Sequence, residues 1–88
     1  MSRITRAAPH LEAEAIKMRV REDPRTWVRL RWLIIYNALV DPREATEIAT
    51  HSGTTVSMVH LVISSYNRLG ISAVEWRLQA RAVAVAST

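Results

Sequence analysis

From Glu44 to Gly70 the apolar positions fall into two short helical stripes that break at one glycine. Ile48 and Ala49 mark the first stripe. Val59, Val62, Ile63 and Tyr66, at i, i+3, i+4 and i+7, mark the second. Between them Gly53 can adopt the positive φ of a tight helix exit without steric cost. Thr54 or Thr55 then offers a hydroxyl to cap the next helix. Ala49 is small enough to let the two axes approach, and Val59 packs back across it. The pattern predicts a helix-turn-helix, its second helix running from about Thr55 to Leu69 and closed by Gly70.

Upstream, Leu11, Ala15 and Met18 recur at helical spacing with Ile16 beside them, which predicts a helix over residues 10–21. Glu12 and Glu14 open it, and Lys17, Arg19 and Arg21 follow, in the order that complements a helix macrodipole. Asp23-Pro24-Arg25 reads as the start of a second helix, with Asp23 as cap, Pro24 in the first turn and the body at residues 26–39. Asp41-Pro42-Arg43-Glu44 repeats that opener for a third helix, and Glu44 adds a capping box. An alternative start for this helix lies at Thr46. The second helix is amphipathic at first, with Arg25, Arg29 and Arg31 outside and Trp27, Leu30 and Ile34 inside. From Trp32 to Val40 it is apolar on nearly every side, so it must be covered all round. Either its neighbours wrap it, or Trp32, Ile35 and Tyr36 join Trp76 in a subunit contact, which would make a homodimer. Past Gly70, Val74, Trp76, Leu78 and Ala80 alternate with polar residues as in a strand, while Val74, Leu78, Ala82 and Val85 fit a helix face. A strand would need a partner from a symmetry mate, and helix is the expectation here. The fold class is therefore all-α, with four or five helices: a basic arm at 1–9, a helical domain at 10–70 and an extension at 71–88.

Charge sharpens this picture. The chain carries a net charge of +4, and residues 1–31 hold eight of its twelve lysines and arginines. Such a balance suits a polyanionic partner. Arg3 and Arg6 lie in the arm, which either reaches a phosphate or a minor groove or is an inert, disordered terminus. Cysteine is absent, which excludes a disulfide framework or thiolate metal site and fits a reducing compartment. The first residues lack the apolar core of a signal peptide, and no run approaches the length of a membrane span, so the expectation is cytoplasmic with no membrane partner. His10, His51 and His60 stand on separate elements with no metal-binding spacing, and no glycine-rich phosphate loop is present. No enzyme activity and no cofactor are expected.

Taken together, Asp23-Pro24-Arg25, the apolar run from Trp32 to Leu39, Glu47-Ile48-Ala49, Gly53, Met58-Val59 and Leu69-Gly70-Ile71 give a resemblance. In order and spacing they resemble the N-terminal DNA-binding domain of bacterial insertion-sequence transposases of the mariner-like group. The resemblance spans roughly residues 11–74 and implies a homeodomain-like helix-turn-helix that grips duplex DNA. In that family a following acidic-triad nuclease domain does the chemistry; this chain has too few acids to replace it. Ser52 stands where the family pattern has leucine, and Thr54 where it has a branched apolar residue. The second helix of the motif carries no charge from Thr55 to Asn67, where family members place arginine or lysine. The expected base-edge contacts are therefore Thr55, Ser57, Met58, His60, Leu61 and Ser64, with Arg25, Arg29, Arg31, Arg43 and Arg68 on phosphates. The same uncharged face suits a second function, a protein-interaction module on a helix-turn-helix scaffold, with Val56, Met58 and Leu61 as its patch.

Overall fold

Gly53 and Gly70 are the two described residues with positive φ, and each ends a helix. The computed structural model describes residues 4–75. Along it run β1 (Ile4–Thr5), α1 (Ala13–Glu22), α2 (Thr26–Val40), β2 (Arg43–Glu44), α3 (Ala45–Ser52), α4 (Val56–Leu69) and α5 (Ile71–Glu75). The architecture is all-α, with one two-residue antiparallel pairing in which Ile4 faces Glu44 and Thr5 faces Arg43.

Helix α2 is the centre of the molecule. Trp32, Ile34 and Ile35 are fully buried, and Val28 and Ala38 join them in one core with Ile16 of α1, Ile48 and Ala49 of α3, and Val59, Val62, Ile63 and Tyr66 of α4. Each such aliphatic side chain withdrawn from water contributes about 1.5–3 kcal/mol. Trp32 and Tyr66 meet edge to face at 5.9 Å, and the Arg19 guanidinium of α1 lies 5.2 Å from the Trp32 ring centre. The expected subunit contact through Trp32 and Ile35 is thereby corrected: α1, α3, α4 and α5 wrap the helix, leaving neither side chain any surface. Tyr36 is half-buried against the same core. Trp76 and the rest of the expected extension lie outside the described residues.

Several boundaries move for physical reasons. The buried side of α1 is Ile16 with Val20 packed beside it, while Met18 is 49% exposed, so the stripe is rotated from the Leu11–Ala15–Met18 line. Pro24 precedes α2 instead of entering its first turn. Asp23 accepts the Arg25 backbone N–H at 2.8 Å and pairs with its guanidinium at 2.9 Å. Asp41 and Arg43 form the matching side-chain pair at 2.9 Å. The expected capping box of Glu44 does not form, because the backbone at 43–44 is taken up by pairing with β1. That pairing also corrects the free arm. Residues 4–9 are docked: Ala7 is buried and its N–H donates to the Ala38 carbonyl at 3.3 Å.

Candidate nucleic-acid interface

The turn between α3 and α4 follows from three residues. Gly53 is left-handed (φ 73°, ψ 34°) and its N–H reaches back to the Thr50 carbonyl at 3.3 Å. The next N–H, from Thr54, bonds the Ala49 carbonyl at 2.9 Å, so the last carbonyls of α3 are satisfied by a Schellman closure. The Thr55 hydroxyl then accepts the Met58 N–H at 3.1 Å and caps α4. The chain is thus bent sharply, and α4 packs its Val59, Val62, Ile63 and Tyr66 side inward.

The opposite side of α4 is open. At 100° per residue, Val56, Ser57, His60, Leu61, Ser64, Asn67 and Arg68 fall within one stripe, and all seven are exposed. Of the expected base-edge residues, Ser57, His60, Leu61 and Ser64 lie on it together. Thr55 is exposed at its head, with its hydroxyl engaged in the cap. Met58 departs from the expectation: it is half-buried, packed against the core, and points away from the stripe. Leu61 borders a shallow depression whose walls are Met58, Val62, Ser65, Ala73, Val74 and Arg31.

The expected phosphate contacts divide. Arg31 is corrected outright. It is 7% exposed, donates to the Val74 carbonyl at 3.0 Å, and lies 4.8 Å from the Trp27 ring centre. Burial lowers its pKa, as expected for a cation taken out of water. Arg31 therefore ties α2 to α5 and presents nothing outward. Arg25 bridges Asp23 and Glu75, each at 2.9 Å, and those hydrogen bonds raise its pKa. Arg43 is held by Asp41 at 2.9 Å, with Glu47 at 4.0 Å. Arg29 and Arg68 are exposed and form no ion pair among the described residues.

Sequence reasoning passed over one residue, Asn67. Its Oδ1 accepts the Ala8 N–H, at 2.6 Å, and its Nδ2 donates to the Arg6 carbonyl at 2.9 Å. Its own carbonyl accepts from His10 Nε2 at 3.1 Å, and the His10 ring stands edge-on to Tyr66 at 5.0 Å. The available signal was its place on the outward stripe, three residues after Ser64. The His51 side chain is exposed in the last turn of α3.

Among the described residues no group of three His, Cys, Asp or Glu side chains is placed to hold a metal ion, and no helix is long and apolar enough to cross a membrane. No protein-family model, curated protein or solved structure matches the chain.

Proposed function

We propose that this chain binds double-stranded DNA, with α4 laid in the major groove and its outward stripe toward the base edges. The observation that carries the reading is the open face of α4, set across α3 by the left-handed turn at Gly53 and uncharged until Arg68 in its last turn. Ser57, His60 and Ser64 can exchange hydrogen bonds with base edges, and Leu61 and Val56 can meet thymine methyl groups. None of these reaches far, so the helix must sit close to the bases. Lacking an Arg–guanine or Asn–adenine fork on its leading turns, the helix discriminates at the low end of about 1–3 kcal/mol per base pair. Affinity then rests on exposed arginines that form no ion pair among the described residues, chiefly Arg68 on α4 and Arg29 on α2, with Arg6 as a third.

Anisotropy of a labelled duplex, titrated at about 50 and 200 mM salt, tests this. Three phosphate contacts predict a slope of log K against log salt of about −2 to −3. Absence of binding at the lower salt, or a flat slope, would overturn it.

A second reading has its own observation. Val56 and Leu61 are 37% and 41% exposed, and Leu61 adjoins the apolar depression between α4 and α5. On an assembly module this edge would meet another protein, or a second copy in a homodimer. Val56→Ser with Leu61→Ser separates the two readings. Loss of an oligomer seen by mass in solution, with duplex affinity intact, favours assembly.

A further inference from the structure

Residues 6–10 cross the C-terminal end of α4, where the Asn67 side chain is their central fastening. Asn67 both accepts from Ala8 N–H and donates to the Arg6 carbonyl, which fixes the strap at two points two residues apart instead of one. His10 completes the fastening from the other end of the segment, its Nε2–H donating to the Asn67 carbonyl at 3.1 Å. Ala7 is buried between these contacts, and β1 anchors the segment further upstream. Asn67 is a neighbour of Arg68 in the chain, so its bond to the Arg6 carbonyl joins the backbones that carry two exposed guanidiniums. Arg68 stands in the last turn of α4, which has no other Lys, Arg, Asp or Glu, and the Arg6 backbone meets that turn at Asn67.

We infer that Asn67 is a positioning residue for nucleic-acid binding: it clasps the N-terminal segment so that Arg6 stands beside Arg68 and the pair grips the phosphate backbone flanking the groove that α4 enters. This rests on the DNA-binding reading above. The physical gain is preorganisation. A guanidinium on a free arm must lose its chain entropy on binding, whereas Arg6 presented from a docked strap has already lost most of it.

The test uses Arg6→Gln, Asn67→Ala and the double variant, each titrated with duplex across a salt series. Arg6→Gln flattens the salt slope by about one unit, the signature of one lost phosphate contact. Asn67→Ala produces a comparable flattening although it removes no charge, and in its background Arg6→Gln flattens the slope no further. A merely structural role would lower the unfolding temperature and leave the slope alone. Independent of whether Asn67→Ala folds, amide exchange in the wild-type protein provides a second check. The Ala8 N–H is protected in the free chain and stays protected with duplex bound. An unprotected Ala8 amide, a slope unmoved by Arg6→Gln, or equal effects of Arg6→Gln with and without Asn67 would overturn the clasp while leaving duplex binding standing. Failure of the wild-type chain to bind duplex would remove both.

Discussion

Ser52 and Gly53 are adjacent and have opposite consequences for the turn they share. The Ser52 hydroxyl is buried and has no hydrogen-bond partner among the described residues. Replacing it by alanine removes an unsatisfied polar group and costs no bond, so Ser52→Ala is expected to stabilise by up to about 1 kcal/mol. Gly53 has open space where a Cβ would sit, yet its φ of +73° is unfavourable for any L side chain. Gly53→Ala is expected to destabilise by about 1–2 kcal/mol through backbone strain alone. Chemical denaturation of the two variants checks both signs. The glycine was legible from sequence because it takes a left-handed helix exit at no steric cost. The Ser52 environment was not: a serine near a turn ordinarily finds a backbone partner, and it is the tertiary packing around the turn that encloses this hydroxyl.

At the scale of elements, the repeated Asp-Pro-Arg is better understood as a local lock than as a helix cap. In both copies the carboxylate reaches two residues forward to its own arginine, and the helix begins only after the arginine. The proline made a helix start visible in the sequence, but which donors the aspartate would satisfy depended on the backbone dihedrals around it. At the first copy, the side-chain hydrogen bond from Arg25, with help from its backbone N–H, lowers the Asp23 pKa below its ordinary 3.8. A depressed carboxylate stabilises the fold above its unfolded pKa, and that stabilisation is lost as pH falls through the folded value. The stability difference between wild type and Asp23→Asn is therefore full at neutral pH and shrinks on acidification below about pH 4. Denaturant midpoints measured from neutrality down into that range check this; a difference that stays constant would show that the lock carries no charge-dependent stability. The elements hardest to foresee were β1 and β2. Two-residue strands leave no periodicity to detect, and their pairing joins segments nearly forty residues apart.

For the whole molecule, a net charge of +4 conceals a division between arginines that build the fold and arginines that face outward. Amphipathic spacing placed Arg31 on the exposed side of α2, and it failed there because α5 folds back over that side and offers the Val74 carbonyl as a partner. Long-range return of the chain is invisible to a helical wheel. The inward stripes of α3 and α4, by contrast, were legible because both helices face one core and repeat cleanly. The division makes a paired prediction. Arg31→Met keeps the side-chain volume and removes the cation; losing a charged hydrogen bond costs about 1.5–3 kcal/mol, part of which is regained because the charge no longer has to be kept out of water. Its unfolding free energy should fall by about 1–2 kcal/mol, and its salt slope on duplex DNA should match wild type. Arg29→Gln, on an exposed cation with no ion pair among the described residues, should do the reverse: stability within about 0.5 kcal/mol of wild type and a slope flatter by about one unit. Equilibrium denaturation and anisotropy on the same two variants measure both quantities. If Arg31→Met flattened the slope, Arg31 would have to leave the Val74 carbonyl on binding, and α5 would then be a moving part of the interface instead of its support.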